Sequence, residues 1–312
     1  MEQMNIAWIG SFCFSVLRLS TPIIFASLAA AVCEKTGLFN MAVESMMLCG
    51  ALAGVIFSGL TQNAFLGFLA AVVIGTLVGL LISYGYIIAK ADLMLTQIAI
   101  NLAAAGGTIF VLFILTGQKA SSAVAIKSLA MPSISIPLIR DIPLIGKIVS
   151  GHNVLTYLAF VMAFLLDIFF KRTKLGLRMR AVGENPDAAE SVGISPVKIC
   201  FIAFGISGAL GGIGGAFMSM GYLTSFTKNM VAGRGYIGLC ASNMVSGSPI
   251  GAMLSALLFG CADAVGNSMQ MTNIPTDFVL TIPYLVTVIG LVVISIRRMK
   301  KAKKVKSLQT SK

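Results

Sequence analysis

The sequence predicts an all-α integral membrane protein, a polytopic helical bundle with about eight to ten transmembrane helices. Three observations carry that prediction. Of 312 residues, 57% are hydrophobic and only 11% charged, against roughly 25% charged in a soluble domain. The mean hydropathy of +0.93 is too high for a water-facing surface of this size. Several apolar runs reach the roughly 20 residues needed to cross a bilayer, and they are continuous rather than alternating, which argues against a β-barrel.

Run length and polar breaks place spans at 8–33, 41–60, 64–89, 95–116, 153–170, 199–221, 250–268 and 278–296. The 32 glycines suit helices that approach closely, because lipid supplies no hydrophobic push between them. No Lys or Arg precedes the first run, so it is read as a span and not as a signal peptide. The six cysteines form no CxxC pair and read as apolar fillers. His152 reads as a loop-edge residue.

The positive-inside rule sets an orientation. With 171–198 and the C-terminus in the cytoplasm and the N-terminus outside, sixteen of the 23 Lys and Arg fall inside or just after the last span. The chain then divides into a transmembrane domain, 1–296, and a basic cytoplasmic tail, 297–312. The tail reads as a topology signal and an anchor to lipid headgroups, not as a nucleic-acid binder. The same parity requires 229–268 to cross twice or to dip and return. Segment 229–247 contains Arg234, Asn229, Asn243 and several glycines, so it is either a poor ninth span, the favoured reading, or a re-entrant stretch.

Polar groups inside apolar runs are costly and mark candidate functional positions. Asn40 and Glu44 lie four apart, with Asn40 as the expected N-cap of the second span. Gln97 and Asn101 share the same spacing. They could line a passage for a neutral polar solute or lock two helices together. "NMVAGRGYIGLCASN" at 229–243 echoes "NMAVESMMLCGALAG" at 40–54 in the opposite predicted orientation, which admits an inverted repeat. Asp263 and Asp167 are further acids within spans, and Asp167 is expected to meet Lys171 one turn on. The outer loop, 117–152, is apolar for its length and is expected to pack across the outer mouth of the bundle.

The segment 171–198, "KRTKLGLRMRAVGENPDAAESVGISPVK", interrupts this oily chain. A basic cluster holds it at the membrane face. Asn185 then suits an N-cap, Pro186 the first helical position and Asp187 the positive helix start. Ala188, Ala189 and Glu190 continue the helix, and Gly193 stops it. A helix this short needs a surface to lie on. The chain has no phosphate-binding GxxxxGK[ST] loop, so ATP hydrolysis is not expected of it. No catalytic residues, metal site or cofactor are expected either.

Five stretches resemble the permease subunits of bacterial ABC importers that serve branched-chain amino acids, simple sugars and nucleosides, and most of all the nucleoside type. They are "EKTGLFNMAVESMMLCGA", with Asn40 and Glu44 at the family's Asn and Glu positions; "TQIAINLAA", with Asn101; "IPLIRDIPLIGK"; "LGLRMRAVGENPDAAESVGIS"; and "AGRGYIGLCA". The resemblance spans about 15–296 and implies a subunit that pairs with a second permease to form a translocation path. It also implies that Asn185–Gly193 docks on a separate cytoplasmic ATPase and that an extracytoplasmic binding protein or lipoprotein delivers the solute. Substrate-path candidates are then Asn40, Glu44, Gln97, Asn101 and Asn243. At "SNMVSGSPIG", Ser246, Gly247 and Ser248 stand where relatives commonly carry a basic or aromatic residue. Read without the resemblance, an ion-coupled transporter using Glu44 and Asp263 and a non-transporting scaffold also remain.

Overall fold

The computed structural model describes residues 2–134 and 145–269. The last expected span, the basic tail and most of "IPLIRDIPLIGK" lie outside the described residues. Within them the chain is helical: α1 (Glu2–Glu34), α2 (Val43–Thr61), α3 (Ala64–Ser83), α4 (Leu93–Thr116), α5 (Ile145–Val149), α6 (Val154–Arg172), α7 (Lys174–Glu184), α8 (Pro186–Ser191), α9 (Pro196–Ala216), α10 (Arg234–Met244) and α11 (Pro249–Met269). A π-helical turn extends α3 over Tyr84–Ile88, and another extends α9 over Phe217–Tyr222. Seven of these helices are long and apolar enough to cross a membrane, and they coincide with the first seven expected spans. The chain is a multi-pass membrane protein.

Helices α1, α2 and α9 form the centre, with Ile23, Phe25, Met47, Phe204 and Phe217 fully buried. Glycine makes this centre thin. A methyl group added at Gly75 of α3 would strike the Gly208 carbonyl of α9, and one at Gly79 would strike the Phe204 carbonyl. Backbone thus meets backbone, the contact that association in lipid favours. α3 and α4 form an outer layer whose bare side chains, among them Phe65, Leu77, Leu102 and Phe110, suit a hydrocarbon surround. An apolar cavity of about 450 Å³ opens between α2, α3 and α4, lined by residues such as Leu52, Val78 and Ala104.

Two crossings are broken. After Glu34 the chain turns through Gly37 (φ +73°) and re-enters the bundle as non-helical backbone before α2 starts at Val43. The Asn40 amide reaches Ser207 Oγ at 2.8 Å, and that hydroxyl bonds the Ala29 carbonyl at 2.7 Å. Asn40 therefore sits more than a turn inward of Glu34, and Glu44 lies deeper still. This corrects the expected N-cap. Asn40 Oδ1 accepts from Ala42 N–H at 2.9 Å, a local turn, and α2 begins three residues later. Asn40 and Glu44 are consequently not partners on one helical face.

The second break follows Tyr222. Residues 223–233 run inward from the Arg18 side of the bundle, where Ser121 and Thr227 form a bridge. α10 completes the crossing beside Ala26 and Ser27 and reaches Glu34, whose carboxylate accepts from Ser242 Oγ at 2.7 Å. At about 1.5 Å per residue its 11 residues cover only half of a bilayer. The segment expected as a ninth span is thus a turn-rich lead followed by a half-helix, and it is not among the seven helices long enough to cross a membrane. The lead's glycines and Asn229 (φ +55°) disfavour continuous helix. His152 lies at a loop edge, as expected, and is buried there: it is 2% exposed and stacked on Phe14 at 4.0 Å between ring centroids.

Candidate functional site

The broken crossings enter from opposite ends and meet at Glu44. Its Oε1 accepts from Gly233 N–H at 2.9 Å and its Oε2 from Gly235 N–H at 2.8 Å. These donors open α10, where a helix leaves N–H groups unpaired and its dipole favours negative charge. Gly235 is required here, because any side chain would strike the Glu44 backbone and carboxylate. The carboxylate on one broken segment is thereby the cap of the other.

The non-helical stretch before α2 is satisfied from α4. Gln97 Oε1 accepts from Met41 N–H at 2.6 Å, and its amide donates to the Phe39 carbonyl at 2.7 Å. Asn101 Oδ1 accepts from Ser45 N–H at 3.2 Å while its amide reaches the Met41 carbonyl at 3.0 Å. Irregular backbone at membrane depth survives only with such partners. Gln97 is fully buried, so its role in this structure is to hold the segment. Asn101 is half-buried and also donates to the Tyr236 hydroxyl at 3.0 Å. Tyr236, 39% exposed, was not singled out in the sequence; the available signal was an aromatic hydroxyl directly after Gly233, Arg234 and Gly235. Glu44, Asn101 and Tyr236 thus form one polar surface deep in the bundle.

The other candidates diverge. Asn40 faces α9 and is 1% exposed. Asn243 lies in the last turn of α10, on the Glu34 side, two helical turns and more from the Glu44 contact. Arg234 points away from Tyr236, because positions two apart on a helix face opposite sides. Its Nη1 donates to the Val231 carbonyl at 3.3 Å, and its Nε is buried without a partner.

The charged segment 171–198 folds as two capped helices lying against the Glu34 side. Thr173 Oγ1 caps α7 by accepting from Gly176 N–H at 3.1 Å, and Asn185 Oδ1 caps α8 through Ala188 N–H at 3.0 Å. Gly193 takes φ +82° and ends α8, with Ile194 N–H returning to the Ala189 carbonyl at 3.0 Å. Asp167 and Lys171 pair at 2.6 Å, as their spacing predicts. Ala189 alone in this cap-to-cap stretch is buried; Asn185, Pro186, Asp187, Ala188, Glu190 and Gly193 are exposed. α7 holds on to the bundle at Gly183. An added methyl there would strike the Lys35 carbonyl, and Gly37 N–H lies 3.0 Å from the same point. Lys35 in turn donates to the Ser246 carbonyl at 2.9 Å. Residues 34–44 therefore touch α7 at Gly183 and hold α10 near both ends.

This arrangement can be compared with known proteins. Residues 12–295 match the branched-chain amino acid transport system / permease component family. The chain belongs to this permease family. Its homologues are transport subunits of ABC transporters, not enzymes, and family membership implies an ATPase and a substrate-binding protein as partners. Among curated relatives, the nucleoside ABC transporter permease protein NupC of Lactococcus lactis is 33% identical over 289 residues, covering 89% of this chain and 90% of the relative. The guanosine ABC transporter permease protein NupQ of Bacillus subtilis is 32% identical over 288 residues, covering 89% of each. The fold also resembles a solved ABC transporter in an inward-facing conformation, at 14% identity and TM-score 0.50, over 90% of this chain and 84% of that one.

Proposed function

We propose that this permease imports nucleosides, with the Glu34 side of the bundle in the cytoplasm and the Arg18 side outside. The observation that carries the reading is the polar surface of Glu44, Asn101 and Tyr236, partly exposed at a depth where lipid would penalise it. Such a surface needs a water-filled passage or a partner subunit over it, and a second permease copy or a homologue would supply both. Full-length similarity to nucleoside and guanosine permeases favours that solute class over sugars and branched-chain amino acids.

The chemistry agrees with an uncharged, hydrogen-bonding solute. The positive end of α10 is already occupied by the Glu44 carboxylate, so it offers no anion hole. The Asn101 amide and Tyr236 hydroxyl supply neutral donors and acceptors. Because both Glu44 oxygens are held by backbone N–H groups, an ion-coupled cycle on this residue is disfavoured.

α8 is the docking element for the ATPase, with Asp187 and Glu190 on its free face. Movement there passes through the Gly183–Gly37 contact into residues 34–44 and so to both ends of α10. Proteoliposomes holding the permease pair and its ATPase, supplied with the binding protein, should accumulate labelled nucleosides only with ATP. Accumulation without ATP that collapses on adding an ionophore would reject this function.

A further inference from the structure

Arg18 is the one basic residue of the first span, and nothing above gives it a role. It lies where α1, α11 and the end of α9 converge on the Arg18 side. Its Nη2 donates to the Tyr222 carbonyl at 3.1 Å, and its guanidinium stacks 4.6 Å from the centroid of the Tyr222 ring. These contacts fix the group, and among the described residues they leave most of its five N–H donors unused. Among the described residues no carboxylate pairs with it, the only ion pair being Lys171–Asp167.

Arg18 borders a cavity of about 240 Å³ between α1 and α11, with Ser15, Tyr222, Asn267 and Ser268 around it. A second polar cavity of about 220 Å³, on its other side, holds Ser133, Asn153, Thr156 and His152. Among the described residues neither is lined by an acidic side chain. The His152 ring is held below its ordinary pKa, first by burial, with Arg18 adding a smaller push, so it contributes no competing positive charge near neutral pH. A fixed cation ringed by neutral polar groups is the complement of an oxyanion. The α1–α11 cavity adds a second feature. Leu254, Leu258 and Val265 are exposed along α11, and helical spacing puts Ser268 on the same face. An acyl chain lying on that stripe would bring its phosphate to Arg18.

We infer that Arg18, with Ser15, Asn267 and Ser268, binds the phosphate of an anionic phospholipid of the phosphatidylglycerol class. The test uses the assembled permease–ATPase complex in detergent, titrated separately with phosphatidylglycerol, phosphatidylcholine and inorganic phosphate, with thermal stability and retained lipid as readouts. Phosphatidylglycerol should stabilise and be retained about tenfold better than phosphatidylcholine, as one charge-assisted contact implies. Inorganic phosphate at equal concentration should do neither. R18Q should erase the preference, and N267L, at an exposed position, should weaken it should R18Q not fold. Equal retention of the two lipids by the wild-type complex would overturn the assignment. So would an equal shift with inorganic phosphate, which would point to a free-anion site, or an unchanged preference in R18Q.

Discussion

Replacing Glu44 by alanine removes both acceptors at the start of α10. Each lost bond was to a charged oxygen, at 2.9 and 2.8 Å, and hydrogen bonds to charged groups contribute about 1.5–3 kcal/mol apiece. Gly233 is half-buried and can recover part of this from water, whereas Gly235 is buried. A net local cost of about 3 kcal/mol follows, equivalent to roughly 100-fold more frequent opening of the first turn of α10. Glu44→Gln keeps one acceptor oxygen but turns an amide N–H2 toward the second donor, so about half the protection should go. Hydrogen–deuterium exchange on the purified protein in nanodiscs reads this directly. The peptide covering 229–244 should exchange about 100-fold faster in E44A and about tenfold faster in E44Q, with the peptide over α8 unchanged. Exchange in E44A within threefold of wild type would refute the capping argument.

Other consequences are equally concrete. Gly75→Leu should abolish monodisperse protein in size-exclusion chromatography, because its side chain has only the Gly208 backbone to enter. Gly106→Leu, which meets open space within 4 Å, should behave as wild type. Gln97→Leu strands the Met41 N–H and the Phe39 carbonyl. It should destabilise the bundle by about 2–4 kcal/mol and lower the melting temperature while leaving ATPase binding intact. His152 has a folded pKa below its ordinary 6.5, so the unfolded chain binds its proton first. The stability it supports is present above about pH 6.5 and falls as the pH drops toward the depressed value. A melting-temperature series should show that decline in wild type and a flatter profile in His152→Phe.

How much of this could be read from sequence differs by element. Full spans were legible because run length alone separates them from polar breaks, as at Thr61–Asn63 between α2 and α3. α8 was legible because Asn185, Pro186 and Gly193 encode its ends within nine residues. The start of α2 was not. Asn40 looks like an N-cap, but the stretch from Phe39 to Met41 is held non-helical by Gln97 and Asn101, some sixty positions away. Composition revealed that 229–247 is broken, yet nothing local could show that Gly233 and Gly235 land on Glu44. Asn243 satisfied the same polarity criterion and lies at the wrong end of α10. Tyr236 escaped notice because its significance comes only from the Asn101 contact.

The central claim is that work done by the ATPase enters this bundle through α8. Its most direct test is substrate- and receptor-stimulated ATP hydrolysis by the reconstituted importer carrying Asp187→Arg and Glu190→Arg together. Both side chains are exposed on α8, so the bundle should still fold. The prediction is an intact permease whose stimulated hydrolysis falls to the basal rate and whose uptake stops. Full stimulation and uptake in the double variant would contradict the claim.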